Sequence, residues 1–88
     1  MYELITSPHF ERKLRAFLRK QPALQDKLQD TFELLQTNPH DPKLKTHSLS
    51  NRLKGRLAAS ITYEYRVVFS VKGQNIYLLA IGTHDEVY

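Results

Sequence analysis

Tyr2, Leu4 and Thr6 alternate with Glu3 and Ile5, which predicts a short strand over the first six residues, buried on both faces. A helix is expected at once after it. Ser7 is a good N-cap, Pro8 suits the first helical position, and Glu11 falls in the first turn, where the helix dipole favours a carboxylate. Phe10, Leu14, Phe17 and Leu18 then follow the i, i+4, i+7, i+8 pattern, opposite Arg12, Lys13, Arg15 and Arg19. Pro22 biases Gln21 away from helical geometry and opens a second helix whose apolar stripe is Leu24, Leu28, Phe32 and Leu35. Asn38 and Pro39 end it.

From Asn38 to Lys54 the chain has two prolines and weak periodicity, and reads as a long surface segment with room for one helical turn. Connections of this length inside small domains often carry function. From Gly55 the period becomes two. Leu57, Ala59 and Ile61 point one way and Arg56, Ala58, Ser60 and Thr62 the other; Val67, Phe69 and Val71 alternate with Arg66, Val68 and Ser70. Lys72 to Asn75 form a turn into a nearly all-apolar strand, Ile76 to Ile81, which is expected to be central. The order is that of an α+β fold: an N-terminal strand, an antiparallel helix hairpin, then a three-strand antiparallel meander, with the helices on one sheet face and the other face open. One domain over residues 1–88 is expected.

The chain has 88 residues, 41% hydrophobic and 25% charged, with three Gly and four Pro, so fibrous and disordered classes are excluded. No cysteine is present, which rules out a disulfide framework and thiolate chemistry. There is no run of apolar residues long enough to span a membrane and no signal-peptide pattern at the N-terminus, and a cytoplasmic protein without a membrane partner is expected. The net charge of +4 is unevenly spread. Residues 1–42 are balanced, whereas residues 43–81 carry Lys43, Lys45, Arg52, Lys54, Arg56, Arg66 and Lys72 against Glu64 alone. An anionic partner for the C-terminal half follows.

Arg56, Ser60 and Arg66 fall on neighbouring strands of the outward face, which gives either two guanidiniums converging on one phosphate or a solvated basic face. Glu64 is the one carboxylate among these bases, either a salt-bridge partner or a general base. His9 and His40 read as surface residues. His47, at the end of a basic run, and His84, just past the apolar strand, flank the basic face, and histidine is the natural acid and base near neutral pH. Tyr63, Tyr65 and Tyr88 add rings of the kind that stack on unpaired bases. No histidine pair has zinc-ligand spacing, and no glycine-rich phosphate loop is present, so neither metal nor cofactor is expected.

The order of elements, together with H-S-L (47–49), L-K-G (53–55), Y-E-Y-R-V-V-F (63–69) and I-G-T-H-D-E-V-Y (81–88), resembles the RelE/ParE toxin superfamily. Within it, the RelE/StbE and YafQ-like mRNA interferases are most similar. The resemblance implies a small toxin of a type II toxin-antitoxin pair that enters the ribosomal A site and cuts mRNA by attack of a ribose 2′-hydroxyl on the adjacent phosphate, without a metal. It implies mRNA, the ribosome and an acidic, wrapping antitoxin as partners, and operator DNA only through the antitoxin complex.

Carried over by motif, His47 and His84 match the loop and C-terminal histidines of the YafQ-like group. Glu64 takes the place of an aspartate near a strand, Arg66 matches a phosphate-binding arginine of the RelE type, and Tyr88 matches a C-terminal aromatic. His84 is expected to act as acid and either His47 or Glu64 as base. Lys43, Lys45, Arg52, Lys54 and Arg56 are expected to bind RNA phosphates. The sequence departs from the YafQ-like pattern at Ser60, where that group has a further histidine, and at Arg56. Two alternatives share the fold: a ParE-like toxin that inhibits a topoisomerase without chemistry, and an inactive paralogue that binds nucleic acid or antitoxin.

Overall fold

A computed structural model of the chain describes residues 1–49 and 55–87. Strand β1 (Glu3–Ile5) leads into helix α1 (Pro8–Lys20), a 3-10 turn at Pro22–Leu24 and helix α2 (Gln25–Thr37). A second 3-10 turn at Pro42–Leu44 precedes strands β2 (His47–Ser48), β3 (Leu57–Ser60), β4 (Tyr65–Lys72) and β5 (Asn75–Thr83), and a four-residue helix α3 (His84–Val87) follows. The expected α+β order holds. Ser7 caps α1 by accepting the Phe10 N–H at 3.1 Å, with Pro8 in the first turn.

The sheet has five strands in the order β1-β5-β4-β3-β2, with β1 parallel to β5 and every other pair antiparallel. The apolar strand β5 is therefore internal, as its composition requires. Phe10 and Phe17 of α1, Leu28 and Leu35 of α2, Ala59, Val67, Phe69, Ile76 and Leu78 of the sheet, and Ile61 just past β3 belong to one core. The helices thus cover one sheet face, and the alternation in β3 and β4 sorts inward from outward residues as the sequence predicts.

Three features differ from the sequence reading. The segment after α2 contains its helical turn, but also the edge strand β2, in which His47 pairs with Ala58 and Ser48 with Leu57. The second sheet face is not open throughout: Ala58 and Val68 lie on it and are 0% and 1% exposed. Strand β5 is also longer than expected and irregular. Val68 faces Ala80 while Phe69 faces Leu78, so Leu79 is an extra residue on β5. The bulge switches parity, so that Ile76 and Leu78 before it and Ile81 after it all face the helices. Gly82 consequently lands on the outward face beside Arg66. At the β4–β5 turn Gly73 has φ 62°, a left-handed backbone that suits glycine.

Candidate active site at the sheet end

The parity switch lines up Ser60, Arg66 and Gly82 across β3, β4 and β5 on the outward face. Ser60 and Gly82 are small, so neither side chain crowds the guanidinium between them. Arg66 turns toward the β3–β4 turn, where its Nη1 donates to the carbonyl oxygens of Thr62 at 2.8 Å, Tyr63 at 2.7 Å and Tyr65 at 3.2 Å. The turn is closed by its own backbone as well, with Ile61 N–H donating to Tyr65 O at 3.0 Å and Tyr65 N–H to the Thr62 hydroxyl at 3.3 Å. A guanidinium carries five N–H donors, so this clamp fixes Arg66 through one nitrogen and leaves Nε and Nη2 as the donors with which it can meet an anion. Glu64 is exposed within the same turn, between Tyr63 and Tyr65.

His84 begins α3, two residues after Gly82, and α3 is held by a reciprocal cap. The Thr83 N–H donates to Glu86 Oε1 at 2.8 Å, and the Glu86 N–H donates to the Thr83 hydroxyl at 3.3 Å. This is the capping box that the T-x-x-E spelling of residues 83–86 encodes. The T-x-x-E spacing is a signal that sequence reasoning missed. The Thr83 backbone N–H and then the Thr83 side chain, with Lys20 and Lys13 adding favourable charge, hold the Glu86 carboxyl below its ordinary pKa. Gly82 makes the fold-back possible: a Cβ there would lie 2.9 Å from Glu86 Oε1 and 3.2 Å from its Cβ. His84 Nδ1 lies 3.4 Å from Asp85 Oδ1, an exposed contact at the long end of the range.

The remaining candidates spread over the same face and its rim. His47 sits on the edge strand, two residues along and two strands across from Arg66, roughly 12 Å between Cα atoms at ~3.3 Å per residue and ~4.8 Å per strand. Its Nδ1 lies 3.2 Å from the Lys45 carbonyl oxygen, which can only accept, so this bond forms when Nδ1 carries a proton. Lys45 itself adopts the left-handed conformation, φ 51°, as it closes the 3-10 turn that carries Lys43. Arg56 precedes β3 at the end remote from Ser60, and the Arg66 guanidinium turns the other way, toward Thr62 and Tyr63. The expected convergence of the two guanidiniums is therefore corrected: the strand register sets them at opposite ends of β3. Arg52, Lys54 and Tyr88 lie outside the described residues.

Beside Arg66 a groove of about 920 Å³ runs between α2, the Pro42–Leu44 turn and the β3–β4 turn. It is lined in part by Lys43 and Lys45, and also by Lys27 of α2, which the charge count assigned to a balanced half. Among the described residues no group of three or more His, Asp or Glu side chains is placed to hold a metal ion. No helix among them is long and apolar enough to cross a membrane.

The whole architecture has close counterparts. YafQ from Escherichia coli superposes with a TM-score of 0.83 at 19% identity, over 100% of this chain and 99% of that one. A copper-bound mutant toxin from Helicobacter pylori gives 0.82 at 24% identity, with both chains covered in full. YafQ in the E. coli DinJ-YafQ complex gives 0.81 at 20% identity, over 100% of this chain and 99% of that one. These likenesses establish the fold. No curated protein matches the sequence. The family model for the bacterial toxin of type II toxin-antitoxin systems, YafQ, matches residues 2–88, nearly the entire chain, and the protein accordingly belongs to the YafQ toxin family.

Proposed function

We propose that this toxin is a ribosome-dependent mRNA endoribonuclease working without a metal. The observation that carries the reading is the juxtaposition of Arg66 with Gly82, at the point where the capped helix α3 begins with His84. It brings a guanidinium held on β4 and an imidazole at the start of the helix that follows β5 to one end of a sheet in a chain of the YafQ family. A ribose 2′-hydroxyl attacks the adjacent phosphate, and Nε or Nη2 of Arg66 stabilises the negative charge that develops on the five-coordinate phosphorus. His84 protonates the departing 5′-oxygen, and His47 Nε2 or Glu64 takes the 2′-hydroxyl proton. The products are a cyclic phosphate and a free 5′-hydroxyl.

On this reading residues 1–88 act as one cytoplasmic toxin domain. An acidic antitoxin wraps it, as a partner is bound in the DinJ-YafQ and YoeB-YefM complexes, and operator DNA is met only through that complex. Lys43, Lys45, Arg52, Lys54 and Arg56 face RNA phosphates, and Tyr88 adds an aromatic contact. Primer extension on mRNA after induction, with and without ribosomes, tests the activity. Discrete breaks that need the ribosome are expected. Intact mRNA together with inhibited DNA supercoiling would favour a ParE-like mode of action, and intact mRNA with normal supercoiling an inactive binding module.

A further inference from the structure

Of the residues lining the groove beside Arg66, the chemistry just described uses Arg66 alone, yet the rest of the lining is selective. Lys27, Lys43, Lys45 and Arg66 face it against Asp30 and Glu33, an excess of two positive charges. Its floor is closed by Leu44 and Ile61, which are buried. At its rim stands Tyr63, 92% exposed and, apart from Met1, the only large hydrophobic side chain so exposed among the described residues. Tyr63 does not hang on a loose loop, because Arg66 Nη1 holds its carbonyl at 2.7 Å. An exposed ring on a clamped backbone beside a cationic groove combines the two elements by which proteins hold single strands: a stacking platform for a base and cations that track the backbone.

We propose that this groove binds the single-stranded RNA that flanks the cleaved bond, with one base stacked on Tyr63 and neighbouring phosphates met by Lys27, Lys43 and Lys45. The inference rests on the nuclease reading and extends it from the reacting phosphate to the adjacent nucleotides. Arg66 belongs to both the groove lining and the sheet-end row, so the two adjoin at this residue. RNA fits better than an acidic peptide because a peptide carboxylate would use the lysines but gives Tyr63 nothing to stack on.

The chain contains no tryptophan, so Tyr63→Trp supplies a single fluorescent reporter at the rim. The full-length variant is titrated with a 2′-methoxy hexauridylate, which lacks the attacking hydroxyl and is not cut, and in parallel with a glutamate 20-mer. The proposal expects quenching by the oligonucleotide, weakening as salt rises, and abolished by Lys27→Glu with Lys45→Glu. Labelled oligonucleotide should bind Tyr63→Ala about tenfold more weakly than the wild type, with Tyr63→Phe near the wild type, since stacking needs the ring and not the hydroxyl. Circular dichroism confirms that each variant is folded. Equal binding by Tyr63→Ala, absence of quenching, or quenching by the peptide alone overturns the proposal, the last in favour of an antitoxin site. Primer extension on ribosomes with the wild type, run alongside, separates the two claims: breaks without any Tyr63 effect leave the nuclease reading intact and remove the groove, and oligonucleotide binding without breaks does the reverse.

Discussion

Thr83 and Glu86 each donate a backbone N–H to the other's side chain, at 2.8 and 3.3 Å, and this pair sets the direction in which His84 leaves the sheet. The bond that Thr83 N–H donates is stronger to the ionised carboxylate than to the neutral acid. Glu86 has a lowered pKa in the folded chain, so its contribution is complete above the ordinary glutamate range and is lost as pH falls through the lowered value. The Thr83 amide proton resonance should therefore shift on acidification with a midpoint below that of an exposed glutamate, and Glu86→Gln should remove the transition. Cleavage near neutral pH should fall roughly tenfold in Glu86→Ala, well short of the ~100-fold cost of a badly misplaced catalytic group. A midpoint at or above the ordinary value would mean that the cap does not form in solution.

Arg66 holds the β3–β4 turn and is also the proposed phosphate ligand, so Arg66→Ala should have two separable effects. Loss of the clamp on these partly exposed carbonyls should cost about 1 kcal/mol of stability, read in a denaturant melt. Loss of the cation should lower cleavage by on the order of 10²–10³-fold, far more than that destabilisation explains. Arg66→Lys should rescue little of either, because a point charge cannot grip the turn and face the phosphate together. Full cleavage by Arg66→Ala on intact ribosomes would discard the assignment.

The legible parts of this molecule were those written in local periodicity and chemistry. Ser7, Pro8 and the Phe10-Leu14-Phe17 spacing specify α1, and the two-residue alternation around Val67 and Phe69 sorts β4 onto its faces. Strand β2 was not legible, since two residues cannot display a period and His47 is fixed by pairing with Ala58. The same applies to the bulge at Leu79, which arises from the fit of β5 to β4 and alone puts Gly82 next to Arg66. Candidate site residues could be chosen by type, but their grouping depended on register: Ser60 and Arg66 came together, while Arg56 went to the far end of β3. The part played by backbone carbonyls in aiming Arg66 has no sequence signature at all.

Lys43 lies within the Pro42–Leu44 3-10 turn, Lys45 closes it, and both are exposed, so their charges are open to a partner. Changing both to Glu should sharply weaken co-sedimentation with ribosomes, and the loss should be largest at low salt, where each phosphate contact releases most counterion free energy. The far-ultraviolet circular dichroism spectrum should not change, since neither side chain contributes to the core. Unaltered co-sedimentation across a salt series would reduce these lysines to a solvated surface.

His84 is the proposed acid, and the proton it would give distinguishes it from a residue that only binds RNA. A 5′-oxygen leaves poorly unless protonated, whereas a bridging sulfur leaves as a thiolate without help. His84→Ala should therefore depress cleavage of the normal substrate by about 10²–10⁴-fold, the usual worth of general acid catalysis, and depress cleavage of the 5′-sulfur substrate far less. His84→Gln should behave like the alanine variant, because it retains hydrogen bonding but cannot release a proton near neutral pH. The parallel substitution His47→Ala should slow both substrates alike if His47 Nε2 is the base, since removal of the 2′-hydroxyl proton precedes departure of either leaving group. An equal loss on both substrates for His84→Ala would assign His84 to binding or to the base role and send the search for the acid to His47 or to the ribosome itself.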